Sequence, residues 1–127
     1  ASLAGKTVAL VGLGDIGRAL ARRLLACDMR VVAYDPGVDG DCALHGVQRA
    51  AWPERVDEAD FIAFTCSLNE RNRHMLNAEV LARCRRGVFV VNVARGPLID
   101  EPALVSALQS GQVQAAALDV FENEPLP

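Results

Sequence analysis

The chain has 127 residues, 51% hydrophobic and 23% charged, the make-up of one globular domain that buries roughly two-thirds of its unfolded surface rather than of a disordered segment. Its net charge of −3 speaks against nucleic acid as a partner, since phosphate binding wants a basic face. No apolar stretch approaches the roughly 18 residues of a membrane span, and no signal peptide is visible.

In chain order, Thr7 to Val11 reads as a first strand. A helix follows from about Ile16 to Cys27, with Ile16, Leu20 and Leu24 on one stripe and Arg18, Arg22 and Arg23 elsewhere. Arg30 to Tyr34 reads as a second strand closed by Asp35-Pro36-Gly37. Residues 39 to 46 form a weak helical patch ending at Gly46, and Val47 with its neighbours a short third strand. Pro53 can open a short helix through Ala59, because a first-turn position needs no N–H. Phe61 to Thr65 makes a fourth strand, and Asn77 caps a helix to about Cys84 that stops near Gly87. After the strand 88 to 92 comes a helix capped by Asp100, with Pro102 in its first turn and Gly111 at its end; Ala115 to Val120 is the last strand.

Most of these strands are continuous apolar runs, the pattern of a sheet covered on both sides. Their alternation with helices predicts an α/β domain: a doubly wound parallel sheet of about six strands with helices on both faces. The one substantial polar loop, Ser67 to Arg73, follows a strand end, where such sheets place ligands. The four cysteines, at 27, 42, 66 and 84, include no C-x-x-C pair, so no metal site is expected. Their mostly apolar settings suggest reduced, packed thiols and a reducing, cytoplasmic compartment. Arg83, Arg85 and Arg86 cluster at a helix end, where cations favour the dipole, and read as a solvated face.

The first strand-to-helix turn carries "GLGDIG", with Gly12, Gly14 and Gly17 in the G-x-G-x-x-G spacing. Gly12 permits the tight turn, Gly14 lets backbone approach a pyrophosphate, and Gly17 lets helix pack on strand. The amides near Asp15 and Ile16 would face the phosphates along the positive end of the helix dipole, provided the Asp15 side chain turns outward. Glycines mark any tight turn, but these follow a strand, open an amphipathic helix and precede a second strand, which is the context a Rossmann-type dinucleotide site requires. Asp35 ends the second strand, 35 − 17 = 18 residues after the last glycine. A carboxylate there accepts hydrogen bonds from a ribose hydroxyl and repels a 2′-phosphate, which favours NAD over NADP; taken alone, Asp35 is equally a turn-starting residue before proline.

"VFVVNVARGPLIDE" sets Arg95 between Ala94 and Gly96, just past a strand, where a plain turn needs no cation. Without further context such an arginine is a surface charge. Together, "GKTVALVGLGDIGRALARRL", "VVAYDP", "NVARGPLIDEPALVSALQSG" and "AALDVFENEP" resemble the D-isomer-specific 2-hydroxyacid dehydrogenase family over essentially the whole chain. The resemblance implies that Arg95 grips the carboxylate and carbonyl of a small 2-oxo or 2-hydroxy acid, for which a planar fork of donors suits better than lysine. It implies that Asp119 hydrogen-bonds the nicotinamide carboxamide. Glu124, directly before Pro125, would be the catalytic acid that pairs with a histidine, orienting it and raising its pKa so that it can protonate the substrate oxygen. By their residues alone, Glu122 and Glu124 are also readable as solvated acids. Val93 and Ala94 would line the nicotinamide side, with Cys66 and Ser67 against the cofactor; Ser67 departs from the family's usual proline, which puts that loop's shape in doubt.

The histidines are His45 and His74. His45 lies toward the wrong edge, and His74, in "RNRHMLN", reads as a packing or surface residue. The family's catalytic histidine comes after the "EP" segment, and its substrate domain is built from sequence on both sides of the cofactor domain. Residues 1–127 are therefore expected to be the NAD-binding core of a larger enzyme, inactive by itself and commonly dimeric. Two other readings remain. One is an NAD-responsive corepressor that uses the same scaffold for dimerisation. The other is a domain for another adenosine ligand such as S-adenosylmethionine, which leaves Arg95, Asp119 and Glu124 idle.

Overall fold

The computed structural model describes residues 3–34, 46–66, 73–94 and 96–118. Strands β1 (Thr7–Val11), β2 (Arg30–Tyr34), β3 (Val47–Arg49), β4 (Phe61–Phe64), β5 (Val88–Asn92) and β6 (Val113–Leu118) alternate with helices α1 (Asp15–Ala26), α2 (Ala78–Arg83) and α3 (Glu101–Ser110). The strands form one sheet in the order β3-β2-β1-β4-β5-β6, and every pairing is parallel. Parallel neighbours need a crossover, and the order reverses between β1 and β4. That is the doubly wound arrangement expected from the alternation of apolar runs and helices.

Side chains alternate between the two faces. Ala9, Val11, Val32, Tyr34, Ile62, Phe64 and Val90 pack with Val80, Leu81, Leu104 and Ala107 of α2 and α3 into the larger core. Val8, Leu10, Val31, Ala33 and Ala63 face α1 in a smaller one. Every residue of β1 is buried, because it contributes to both cores.

The second face is only half covered among the described residues. Register sets Phe61, Phe89 and Ala115 in one row, and Ala63, Val91 and Ala117 in the next. Burial falls away along both rows: Phe89 is 37% exposed, and Ala115 and Ala117 are exposed. Phe61 and Phe89 stack on each other at 5.3 Å. Continuous apolar runs thus overstated the covering on this side.

The α1 stripe also differs from expectation. Ile16 is 70% exposed, and the buried positions of α1 are Gly17 and Ala21, with Leu20 and Leu24 half-buried. The helix meets the sheet along a seam of small residues, which brings its axis close and turns Ile16 outward. Pro53 opens no helix: the peptide before it is cis, Arg55 takes a left-handed φ of 65°, and only then comes a three-residue 3-10 turn, Val56–Glu58. The helix capped by Asn77 ends at Arg83, and β6 begins at Val113, two residues before Ala115. Its early start follows from Gly111, whose left-handed φ of 82° ends α3 and returns the chain at once into pairing with β5.

Asn77 and Asp100 cap as expected, accepting from the Val80 and Ala103 amides. The arginine cluster does more than face water. Arg85 pairs with Asp60 at 2.8 Å, whose other oxygen accepts from the Thr7 amide at the start of β1. Arg86 donates to the Ser110 carbonyl at 2.7 Å, so the helix end it serves is that of α3. Of the cysteines described, Cys84 is packed and burial pushes its thiol up to about 11, Cys66 is half-buried, and Cys27 is exposed, contrary to its expected packing. Cys42, His45 and the 39–46 patch up to Gly46 lie outside the described residues.

An aromatic trio fastens the end of β2. Tyr34 meets Trp52 edge-on at 5.2 Å, and Trp52 meets Phe64 at 5.9 Å. The Tyr34 hydroxyl donates to the Glu54 carbonyl at 2.6 Å, and the Trp52 indole to the Met75 carbonyl at 3.0 Å. Burial pushes the Tyr34 phenol up from 10.0 to about 12. Since the folded value lies above the unfolded one, Tyr34 favours the fold fully below pH 10, and this contribution is lost as pH rises through about 12. The chain has a single tyrosine, so near-ultraviolet titration reads this group alone. Its absorbance change is expected near pH 12; an unfolding-free midpoint at pH 10 would contradict the buried, hydrogen-bonded phenol.

Candidate functional site

The strand order reverses between β1 and β4, the kind of switch point at whose carboxyl end open α/β sheets place a ligand crevice. Gly12 leaves β1 with φ 108°, a conformation that only glycine adopts readily, and its amide donates to the Tyr34 carbonyl at 2.8 Å. A Cβ on Gly12 would come within 2.7 Å of the Cys66 amide nitrogen, and one on Gly17 within 2.3 Å of the Gly12 carbonyl oxygen. No substituent fits at either position. Gly14 is different: a Cβ there meets nothing within 4 Å.

These three glycines therefore have separate physical reasons. Gly12 and Gly17 let β1, β4 and α1 converge, and Gly14 leaves the crest of the turn open. Helix α1 has Gly14 at its N-cap, no side chain caps it, and its first backbone bond runs from the Arg18 amide to the Gly14 carbonyl. By contrast, α2 and α3 carry side-chain caps. The Asp15, Ile16 and Gly17 amides stand at the positive end of a 12-residue helix, beside an open crest of the size an anion can approach. Asp15 and Ile16 are both exposed, so the carboxylate need not oppose a phosphate there. A diphosphate fits this cradle.

The other half of the crevice is framed by the ends of β4 and β5. Cys66 is half-buried with its backbone against Gly12. Val93 is 47% exposed, its amide donating to the Phe64 carbonyl, and Ala94 is half-buried. Asp35, Ser67, Arg95, Asp119 and Glu124 lie outside the described residues; in sequence Asp35 directly follows β2, Arg95 follows Ala94, and Asp119 follows β6.

Two side chains that the sequence reading passed over shape this region. Asn92, fully buried at the end of β5, accepts the Ala94 amide at 3.0 Å and so bends the chain immediately before Arg95. Its signal was local, an asparagine two residues before the amide it takes. Thr65 donates its hydroxyl toward the Val11 and Gly12 carbonyls at 3.2 and 3.1 Å, across 54 and 53 residues of sequence, and no local pattern reveals that. After Arg95 the chain is pinned again. The His74 amide donates to the Pro97 carbonyl, that of Leu76 to Leu98, and that of Asp100 back to Leu76. Leu76 and Ile99 form a parallel bridge, and both are buried. His74 is half-buried with φ 52°, so it serves as part of this strap, in keeping with its reading as a packing residue.

The family model described as the D-isomer specific 2-hydroxyacid dehydrogenase, NAD binding domain, matches residues 1–127. The chain belongs to this family. It is 44% identical over 124 residues to a hydroxypyruvate reductase of Thermotoga maritima, covering 97% of this chain and 40% of that protein. It is 46% identical to D-3-phosphoglycerate dehydrogenase of Rattus norvegicus, covering 97% of this chain and 23% of that protein. A crystal structure of a glyoxylate reductase from Paecilomyes thermophila superposes with a TM-score of 0.90 at 38% identity, over 99% of this chain and 38% of that one. The chain thus spans well under half the length of these relatives. The cofactor of this NAD-binding domain is NAD, and the S-adenosylmethionine reading is set aside.

The separate roles of the glycines are measurable. In this NAD-binding domain G17A is expected to cost at least about 1–3 kcal/mol, through overpacking against backbone that cannot yield, and to lower the melting temperature by several degrees. G14A, at an N-cap where alanine is disfavoured but where its methyl meets only the open crest, is expected to lower the melting temperature less than G17A does and to weaken NADH binding. Equal melting losses in both variants would contradict the geometry.

Proposed function

We propose that this chain is the cofactor-binding core of an NAD-dependent oxidoreductase that moves hydride between NAD(H) and a small 2-hydroxy or 2-oxo acid. We further propose that residues 1–127 form one domain, with the substrate domain contributed by polypeptide outside them. The observation that carries the reading is the setting of "NVARG": the chain leaves β5 next to the end of β4, whose Cys66 lies against the glycine turn, and it is bent by Asn92 before Arg95 and strapped at Pro97–Ile99 after it. On this reading the Arg95 guanidinium would serve the nicotinamide half of the site.

When bound, NADH supplies the hydride. The protein's part is position and charge. The amides of Asp15 and Ile16 would hold the diphosphate, Asp35 the ribose, and Asp119 the carboxamide, while Val93, Ala94, Cys66 and Ser67 would exclude water around the ring. Arg95 would bind the substrate carboxylate bidentately and draw charge onto the carbonyl oxygen. Glu124 would hold a histidine from outside these residues in its charged form, poised to protonate that oxygen.

The named relatives are reductases and dehydrogenases, which supports the enzyme over the corepressor reading. A homodimer and a reducing, cytoplasmic setting belong to the same proposal; the free thiols of Cys27 and Cys84 suit the latter. No helix of the described residues is long and apolar enough to cross a membrane.

The test is NADH oxidation by the polypeptide carrying this domain and its flanks, screened against glyoxylate, pyruvate and hydroxypyruvate. Turnover of at least one is expected. R95A should lower kcat by roughly 100- to 1,000-fold, the loss typical of a donor that stabilises developing oxyanion charge, with NADH affinity nearly intact. Undiminished turnover in R95A would overturn the role given to Arg95.

A further inference from the structure

We propose that Thr65 is a positioning residue for the diphosphate of the bound dinucleotide: its hydroxyl clasps the carbonyls at the end of β1 and holds the Gly14–Gly17 amides where phosphate oxygens meet them. This rests on the cofactor reading above and adds to it a residue outside the glycine motif. Thr65 directly follows β4, and its own amide donates to the Val11 carbonyl at 2.8 Å, continuing the sheet. Its Oγ1 lies 3.2 Å from the Val11 oxygen and 3.1 Å from the Gly12 oxygen. A hydroxyl carries one proton, so the two carbonyls share it in a three-centre bond.

The place of that proton matters. The Gly12 carbonyl is the group against which Gly17 packs, and a Cβ on Gly17 would lie 2.9 Å from Thr65 Oγ1 as well as 2.3 Å from the Gly12 oxygen. Thr65 Oγ1 thus fills the wedge between the last turn of strand and the first turn of helix. Gly12 itself sits at φ 108°, in a region where glycine has little intrinsic preference. The hydroxyl adds a directional restraint on the Gly12 carbonyl, beyond those that the Gly12 and Thr65 amides supply to the backbone on either side. Without it, the Gly12 peptide can rotate away from the two-carbonyl arrangement and carry the Gly14–Gly17 amides with it. The ribose-and-adenine end of the site is fastened separately, by the Gly12 amide on Tyr34 and by the Tyr34–Trp52–Phe64 contacts. Loss of the hydroxyl should therefore be felt by phosphate and not by adenosine.

Valine keeps the branched shape of Thr65 and loses the donor, whereas serine keeps the donor. Calorimetric titration of the full chain with ADP-ribose and NMR titration with adenosine separate the effects. T65V is expected to bind ADP-ribose roughly 5- to 10-fold more weakly, the scale of one lost hydrogen bond, with adenosine affinity unchanged. T65S should stay within about twofold of the parent for both ligands, on the same ground that its donor survives. The inference is overturned if T65V binds ADP-ribose like the parent, if it loses adenosine in the same proportion, or if T65S fails alongside T65V. Failure of the parent chain to bind ADP-ribose would instead remove the cofactor reading, and this inference with it.

Discussion

Between the end of β1 and the first turn of α1 there is no room for a methyl group. That exclusion governs the rest of the molecule. Because Gly17 rests on the Gly12 carbonyl, and Gly12 on the Cys66 amide, strand, helix and the neighbouring strand end converge within van der Waals contact of one another. Convergence brings an uncapped helix terminus to the crevice, where its amides can meet an anion rather than water. It also dictates the character of α1 further on, where Ala21 continues the close seam and the larger Leu20 and Leu24 flank it. A wider separation would admit a branched residue at 17 and lose the cradle.

Around this junction the polar groups are handled with care. Thr7 and Asn92 are the buried polar residues among those described, and no buried side-chain nitrogen or oxygen there lacks a partner. Three side-chain bonds span boundaries between elements: the Asp60 carboxylate accepts from the Thr7 amide, Asn92 accepts from the turn after β5, and Thr65 donates to the turn after β1. The polar contacts are thus concentrated at the ends of strands, leaving the middles to apolar packing. The ends of β4 and β5 carry the residues that frame the crevice, and their stiffness comes from these bonds together with the strap between residues 74–76 and 97–100.

Much of this was legible in the amino-acid order, and the exceptions have physical causes. The bounds of β1, β2 and β5 could be read directly because each is an apolar run, although one face of β5 is only partly covered. β6 could not, because Gln114 and a row of alanines give no such run, and its start depends on the turn at Gly111. Ile16 shares a stripe with Leu20 and Leu24 by periodicity yet is exposed, because periodicity weighs size, whereas this interface selects smallness. Pro53 looked like a helix opener because first-turn proline is favourable, but the left-handed Arg55 intervenes. Within the site, the glycine turn was evident from its spacing and its flanking elements. Thr65 was invisible because its partners are more than 50 residues away. The roles given to Arg95, Asp119 and Glu124 come from family pattern rather than from spacing, which by itself offers no distinction between a substrate-binding cation and a solvated one.

The order of the strands has a consequence for how the crevice comes into being. β1, α1 and β2 are neighbours in sequence and can associate early, whereas β4 must join β1 across an intervening stretch of some 50 residues. That pairing brings Thr65 and Cys66 onto the glycine turn. Half-assembled chains would carry the glycine motif intact yet lack the receptor for a diphosphate, so affinity for the nucleotide is a property of the joined halves. A bound dinucleotide would draw its stabilising effect from the same junction, resisting separation of the sheet along the β1–β4 line.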